Sequence, residues 1–459
     1  MEYEAEQMVL LFFPDQKDIT VTSTLSTRED FVYIETKVSV LGQTGVHTEK
    51  AKNTGLSKRD LGNLVKRSAF FAMRPLSPMP VPWGIMTGIR PIKLVRLLFA
   101  EGKSEAEVRS LLADTYLASP DKIDLAMQIA REEEKHPQNR KDVCVYISIP
   151  FCPSRCSYCS FISSTGAVAT KEEYIRLLSL EIKRTGKIIK DLGLSLRAVY
   201  IGGGTPTSLS ASLLEKLQDA ICTHLPVSAG MEFTTEAGRP DTITPEKLAV
   251  LKQYGTNRIS INPQTLHDST LLRIGRRHTA KMFLDAFSLA REMGFTNINT
   301  DLIAGLGGED FSMFRHSLDT VRALAPESIT VHTLYIKRAS DLNLRGETVT
   351  QAPDVADMLS YTYEEMKHDG YLPYYMYRQK ATIGNLENVG YAKPSMDSFY
   401  NTVTMTDCAN IFALGAGAVS RLLFPDKVER VFNFKHDDAY TRDFAEILRR
   451  KEEFYKIAD

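Results

Sequence analysis

The chain predicts an α/β protein built on a partial (β/α)6 barrel, flanked by an α+β N-terminal domain and a mainly helical C-terminal region. Three observations predict it. Between about 143 and 338, apolar strand-like runs alternate six times with amphipathic helical runs, the pattern of right-handed βαβ units in a parallel sheet. Six units fall short of the eight of a closed barrel. Cys152-Pro-Ser-Arg-Cys156-Ser-Tyr158-Cys159 directly follows the first of these strands, at the strand end where α/β sheets gather their chemistry.

Taken in order, residues 1–140 read as a separate unit. Val9–Phe13 and Phe31–Val40 read as strands, followed by helical patterns at 58–73, 91–101, 104–117 and 120–134. Ser104-Glu-Ala-Glu107 and Ser119-Pro have the form of helix starts. Trp83–Pro91 is a Gly/Pro-punctuated link, and the charged stretch Arg131–Asp142 marks the boundary. The core, 141–345, is expected to hold strands at 143–149, 197–202, 231–236, 257–262, 297–303 and 328–335. Helices are expected at 171–192, 210–224, 244–254, 280–294 and 310–324. Residues 346–459 are mixed and mostly helical around the apolar glycine segment Ile411–Ser420.

Composition narrows the function classes. The 459 residues are 43% hydrophobic and 25% charged, and 56 basic residues against 57 acidic ones leave a net charge of −1. Nothing in that balance selects a nucleic acid or a membrane surface as partner. No apolar run reaches the roughly 18–20 residues of a membrane span. The acidic start lacks the basic-then-apolar order of a signal peptide. Six cysteines in this length do not make a disulfide framework, and a cytoplasmic location is expected.

The C-x3-C-x2-C spacing lets three thiolates hold one metal centre, and three thiolates suit a four-iron cluster with one iron left open for an exogenous ligand. A core role fits Pro153, Ser154, Arg155 and Ser157 poorly. A structural zinc site wants a fourth ligand, and the nearest, Cys144 and His136, complete no usual pattern. At later strand ends stand Gly202-Gly203-Gly204-Thr205-Pro206, then Glu236 in Glu236-Ala-Gly-Arg-Pro, then Asn262-Pro-Gln264, then Asp301. Glycines let a backbone approach a ligand closely. A carboxylate at the depth of Glu236 can hold a ribose hydroxyl or an ammonium. Asp301 lies within an apolar strand and calls for a partner, with Arg276 the candidate.

These motifs resemble the radical S-adenosylmethionine (SAM) superfamily. Tyr146–Cys152, Tyr200–Thr207, Asn257–Gln264 and Asn299–Leu306 resemble its oxygen-independent coproporphyrinogen III oxidase group. Thr87-Gly-Ile-Arg-Pro and Glu387-Asn-Val-Gly-Tyr391 resemble the divergent HemZ branch. The resemblance implies a [4Fe-4S] cluster on Cys152, Cys156 and Cys159, with its free iron chelating the amino and carboxylate groups of SAM. Tyr146, Gly203 and Glu236 match positions that bind this first SAM. Tyr158, Gly204, Thr205, Gln264, Arg276, Asp301 and Tyr335 match positions for a second, Tyr335 by position alone. The implied reaction is reductive cleavage of SAM to a 5′-deoxyadenosyl radical, followed by oxidative decarboxylation of two propionates to vinyls. The implied partners are a tetrapyrrole substrate and a one-electron donor such as flavodoxin or ferredoxin. Arg378, Lys380, Lys393 and Arg421 are candidate cations for the substrate's carboxylates. Two departures stand out. Phe161 occupies the place of a fourth cysteine, as in the haem-chaperone relatives. The His-Asn-x-x-Tyr-Trp segment of those relatives is absent, and the only tryptophan is Trp83. A haem carrier on the same fold is therefore the second reading, with His332 and Cys408 as candidate ligands; a radical SAM enzyme with another substrate is the third.

Overall fold

The computed structural model describes residues 2–14, 16, 18–88, 90–159, 164–335, 350–379 and 382–456. Its first unit is α1 (Glu2–Phe12), a three-stranded antiparallel sheet of β1 (Ile19–Arg28), β2 (Phe31–Val40) and β3 (Gln43–Lys52), and α2 (Lys58–Met73). The expected strand at Val9–Phe13 forms instead the last turn of α1. Met8, Leu11 and Phe12 fall at helical spacing and are buried, and Phe12 meets Phe70 of α2 edge-on at 5.3 Å. A five-residue apolar run has too few positions to separate the two periods. β1 and β3 are rich in Ser, Thr and Lys and half exposed, so they carry little apolar alternation. β2 shows it clearly, burying Val32, Ile34, Thr36, Val38 and Val40. Leu41 and Gly42, with φ of 51° and 77°, close the β2–β3 hairpin through two left-handed residues.

Helices α3 (Pro91–Ala100), α4 (Glu105–Ser110) and α5 (Pro120–Glu134) follow. Ser104 and Glu107 form the capping box that starts α4. The helix expected to run to 117 widens into a π turn over Leu111–Thr115.

The core runs β4 (Asp142–Ile149), α6 (Val168–Asp191), β5 (Ser195–Gly203), α7 (Ala211–His224), β6 (Glu232–Glu236), α8 (Pro245–Gln253), β7 (Arg258–Ser260), α9 (Asp268–Arg273), α10 (Ala280–Glu292), β8 (Ile298–Ala304), α11 (Phe311–Ala323) and β9 (Ser328–Thr333). These six strands pair parallel, each with the next in sequence. The C-terminal region supplies α12 (Ala352–His368), β10 (Leu372–Arg378), β11 (Glu387–Ala392), α13 (Phe399–Thr406), β12 (Asn410–Leu414), β13 (Val419–Leu423), β14 (Val428–Phe432), α14 (Asp437–Arg442) and α15 (Phe444–Tyr455). Its strands extend both edges, in the order β10-β11-β9-β8-β7-β6-β5-β4-β12-β13-β14. The sheet stays open: among the described residues its two outer strands do not pair.

Strand alternation sorts the side chains. Val143, Val145, Ile147, Ile149, Val199 and Ile201 pack under α6 and α7, and Ile259, Ile261, Leu302 and Ile329 join the second large core. The opposite face carries Tyr146, Ser148, Tyr200, Thr234, Glu236, Arg258, Ser260, Asn299, Asp301, Thr330 and His332, linked by hydrogen bonds such as Asn299 Nδ2 to Ser260 Oγ at 2.9 Å. This inner face is polar because it is built to meet something other than an apolar core.

The glycine segment after β12 is fixed by Glu181, a buried carboxylate on α6. It accepts from the Gly415 N–H at 2.9 Å, the Tyr440 hydroxyl at 2.6 Å and the Asn433 amide at 3.1 Å, and it pairs with Lys451. The N-terminal unit is tied to β10 and β11. Trp83 Nε1 donates to Glu387 Oε2 at 2.7 Å, Lys122 Nζ meets Glu387 Oε1 at 2.7 Å, and the Arg378 guanidinium donates to the carbonyls of Met86 and Gly88.

Lys122 and Glu387 are both buried, so removing one partner strands the other's charge. Lys122→Met is expected to cost about 3–5 kcal/mol, measured by urea unfolding. The Lys122→Met/Glu387→Leu double variant is expected to recover much of that loss.

Candidate functional site

The site begins where β4 ends. The loop from Pro150 to Ser164 is closed by Ser164 N–H to Pro150 O and by Cys152 N–H to Ser164 O, both 2.9 Å. Cys156 is buried, Cys152 and Cys159 are half-buried, and none of the three is in a disulfide. Cys159 N–H turns back onto Cys156 O at 3.1 Å. On one side the loop rests on the turn after α9, through Ser157 N–H to Ile274 O and Ser154 Oγ to Gly275 O, both 3.0 Å. On the other side the glycine turn of β5 is laced to it: Gly204 N–H to Ile149 O and Thr205 N–H to Phe151 O, both 2.7 Å, with Thr205 Oγ1 3.5 Å from Cys152 Sγ.

Glycine is required here. A Cβ on Gly204 would stand 2.7 Å from Phe151 O and 3.0 Å from Cys152 Sγ. Gly203 has φ of 106°, a conformation side chains rarely adopt. A Cβ on Gly202 would strike the Glu236 carboxyl at 2.9 Å.

Arg239 was not singled out in the sequence, although it lies in the Glu236-Ala-Gly-Arg-Pro run. It is 3% exposed, and its Nη1 donates to Ser154 Oγ at 3.1 Å and to Cys156 Sγ at 3.8 Å. Asp241 holds it in a two-pronged pair, both contacts 2.9 Å. A guanidinium against the middle thiol supplies the outer hydrogen bond that orients a cluster ligand. Among the described residues, no three His, Cys, Asp or Glu side chains converge on one metal ion. Cys144 is buried in β4, and His136 lies 3.6 Å from Asp397. The donor set, three thiols on an accessible loop with a cationic donor and a side-chain-free cradle at Gly204, fits an iron–sulfur cluster, whose thiolates bind separate irons.

Glu236 closes β6 beside this turn. Burial pushes its carboxyl up to about 7, and the charge of Asp301 adds to the rise. The Tyr200 hydroxyl, donating to Oε1 at 2.7 Å, and the Gly203 backbone pull against it. Tyr400 from α13 stacks on Tyr200 at 4.4 Å and on Tyr146 at 5.7 Å, so an aromatic stack joins Tyr146 to the tyrosine that donates to Glu236.

Asp301 departs from expectation in its partner. Its oxygens accept from Asn262 Nδ2 and Asn299 Nδ2, both at 2.7 Å, and His332 Nε2 lies 3.7 Å away. Burial raises its pKa, but the hydrogen bonds and charge of His332 outweigh this and hold the carboxyl below its ordinary value. Arg276 instead donates to Asn262 O at 2.6 Å, Gly238 O at 3.3 Å and the Tyr158 hydroxyl at 3.2 Å. Asn262 stands between the two, with its carbonyl toward Arg276 and its amide toward Asp301. Gln264 has φ of 67° and a buried Oε1 without a partner, while its backbone is locked to Asp301 and Ile303. Strain and an orphan acceptor at one residue mark a place prepared for a ligand. Tyr335 is half-buried and bridges to Thr382.

The candidate substrate cations are engaged elsewhere. Arg378 is held by backbone carbonyls, Arg421 pairs with Asp407 at 2.8 Å, and Lys393 donates to Ala325 O at 2.7 Å. Lys380 and Phe161 lie outside the described residues. Cys408, with its thiol pushed up by burial, sits in a small apolar cluster, whereas His332 reaches the inner face.

An open parallel α/β sheet with a three-thiol loop laced to a glycine turn defines a cluster-bearing class of protein, and a family model described as the Radical SAM superfamily matches residues 146–321. The oxygen-independent coproporphyrinogen-III oxidase-like protein HemZ of Bacillus subtilis (strain 168) is 37% identical over 442 residues, 93% of this chain and 88% of that protein. The heme chaperone HemW of the same organism is 36% identical over 278 residues, 60% of this chain and 69% of its own length. Among solved structures, the coproporphyrinogen III oxidase HemN from Escherichia coli, a radical SAM enzyme, shares the fold with a TM-score of 0.55 at 22% identity, over 70% of this chain and 72% of that one. The chain belongs to the oxygen-independent coproporphyrinogen-III oxidase-like HemZ family of the radical SAM superfamily. That membership carries a [4Fe-4S] cluster and SAM as its cofactors.

Two outcomes test the geometry. Gly204→Ala places a methyl against Cys152 Sγ and should cut iron and sulfide content after anaerobic reconstitution to roughly half or less, because an overfilled contact must move something. Glu236 has a higher pKa folded than unfolded, so its charge costs stability progressively from pH about 4.5 to about 7 and fully above that. The cofactor-free Glu236→Gln variant should therefore gain melting temperature over the parent as pH rises from about 5 to about 8, measured by thermal unfolding across that range.

Proposed function

We propose that this chain is a radical SAM oxidoreductase that converts coproporphyrinogen III to protoporphyrinogen IX in porphyrin biosynthesis. The observation that carries the reading is the three-thiol loop laced to Gly202–Thr205 at the mouth of a polar inner face, in a chain 37% identical over 93% of its length to a coproporphyrinogen-III oxidase-like protein.

When bound, the cluster and SAM supply a one-electron reduction whose organic product takes a hydrogen atom from an unactivated carbon. The protein binds, orients and excludes water. Cys152, Cys156 and Cys159 hold the cluster as thiolates, with Arg239 donating to Cys156. Tyr146, Gly203 and Glu236 receive the first SAM. The Gly203 backbone holds the Glu236 carboxyl, and that desolvated carboxyl is an acceptor for an ammonium or a ribose hydroxyl. Tyr158, Gly204, Thr205, Gln264, Arg276, Asp301 and Tyr335 are assigned to a second SAM; the unpartnered Oε1 of Gln264 supports this, since it lacks only a donor. The Tyr146–Tyr400–Tyr200 stack lines the approach to Glu236 with aromatic surface. Each turnover removes one hydrogen atom from the propionate β-carbon, one carbon dioxide and one electron, leaving a vinyl group; two turnovers complete the substrate. A reducing cytoplasm is the compartment this chemistry implies.

A haem carrier is the second reading, favoured by Phe161 in the place of a fourth cysteine and by 36% identity to a heme chaperone. His332 is its candidate ligand.

Anaerobic reconstitution with iron and sulfide, then incubation with dithionite, SAM and coproporphyrinogen III, should yield 5′-deoxyadenosine and protoporphyrinogen IX. Absence of deoxyadenosine would overturn the enzyme reading. Deoxyadenosine without vinyl product, together with haem binding lost in His332→Ala, would establish the carrier reading instead. Cys156→Ala should abolish cluster absorbance and SAM cleavage together.

A further inference from the structure

We infer that Arg155, Leu272, Arg273 and Arg277 form the docking face for a small acidic one-electron donor protein. This rests on the proposed SAM cleavage, which consumes one electron per turnover.

Arg155 lies inside the cysteine loop, between Cys152 and Cys156. The other three residues belong to α9 and the turn after it, the segment that carries the loop through Ser157 N–H to Ile274 O and Ser154 Oγ to Gly275 O. Gly275 passes so close that a Cβ there would stand 2.9 Å from Arg155 O. Arg155 and the α9 turn thus stand on two segments in direct contact at the cysteine loop. All three arginines are exposed, and Leu272, next to Arg273 in α9, is 78% exposed. None of the three is ion-paired with a carboxylate among the described residues. Arg273 donates only to Thr270 Oγ1, at 3.2 Å. The nearby carboxylates are occupied: Asp241 by Arg239, Asp268 by the Ala280 N–H and Glu309 by Thr265.

Unpaired cations around an exposed apolar residue describe a rim that meets an acidic protein. The position selects an electron donor over the substrate. The inner face, where Glu236 and Asp301 stand, reaches the thiols from the Gly204–Thr205 side; the α9 turn covers them from the other. An electron arriving from the exposed side of this turn meets the loop at Arg155 and Cys156, while Arg276 of the same turn faces inward to Asn262 O. The step balances simply: the donor loses one electron, the cluster gains it, and no atom moves.

The test uses the reconstituted holoenzyme with either reduced flavodoxin or dithionite. The Arg155→Glu/Arg273→Glu/Arg277→Glu variant should retain its iron content and its dithionite-driven deoxyadenosine formation within about twofold. Its flavodoxin-driven rate at low salt should fall about tenfold or more through a raised KM for flavodoxin, with the parent's salt dependence lost. Equal rates for parent and variant with flavodoxin would overturn the docking face. So would a raised KM for coproporphyrinogen III under dithionite, which would assign the arginines to substrate. Absence of deoxyadenosine from the parent under dithionite would defeat the SAM-cleavage reading alone; direct binding of flavodoxin to parent and variant, followed by calorimetry, then decides the docking face by itself.

Discussion

Two backbone segments meet at the end of the sheet with no side chain between them. Gly202, Gly203 and Gly204 bring the turn of β5 against the Glu236 carboxyl on one side and against Phe151 O and Cys152 Sγ on the other. The hydrogen bonds Gly204 to Ile149 and Thr205 to Phe151 then fix where the cysteine loop starts. The loop's far side is fixed by the turn after α9, and its middle thiol by Arg239. Remove the close approach and the loop, the carboxylate and the guanidinium no longer share a reference point. β4 itself is held by Glu181, whose hydrogen bond to Gly415 keeps the turn after β12 against Ser148.

The inner face carries a cost that the fold meets locally. Glu236, Asp301 and Arg258 all stand where an apolar lining would be more stable. Asp301 recovers stability from Asn262, Asn299 and His332. Glu236 recovers less, so its proton is held to about 7. The carboxylate with fewer protein partners has more to gain from a ligand's donor, and Gln264 Oε1 is in the same position. The face is thus divided between groups that support and groups that wait.

The core strands and the cysteine and glycine turns could be read from the chain because each rests on a local cue: apolar runs, helix spacing, glycine at a strand end. What could not be read rests on contacts between distant segments. Arg239 lies within the Glu236-Ala-Gly-Arg-Pro run, but its role depends on Cys156. Asp301 and Arg276 looked like an ion pair until Asn262 was seen to stand between them. Arg378, Lys393 and Arg421 looked free because their partners are carbonyls and a carboxylate remote in sequence. β1 and β3 escaped notice because a sheet with one open face can be built from Thr, Ser and Lys. Val9–Phe13 was too short a run to tell a strand from a helix.

The engagement of those cations bears on the choice between turnover and carriage. Arg378 and Arg421, with Trp83, Arg90 and Lys122, hold the N-terminal unit and α13 to the sheet, so these charges are already engaged within the fold. A carrier must grip the whole macrocycle, with an apolar slot for the ring and cations for its carboxylates. An enzyme of this class needs only to bring one propionate at a time to the polar inner face. On the described surface hydrogen-bonding groups converge at the strand ends beside the cysteine loop, which is the arrangement the proposed enzyme reading uses. His332 fits the same logic, since both its nitrogens are turned toward Asp301 and Tyr377. To ligate a haem iron it would first have to give up one of those partners.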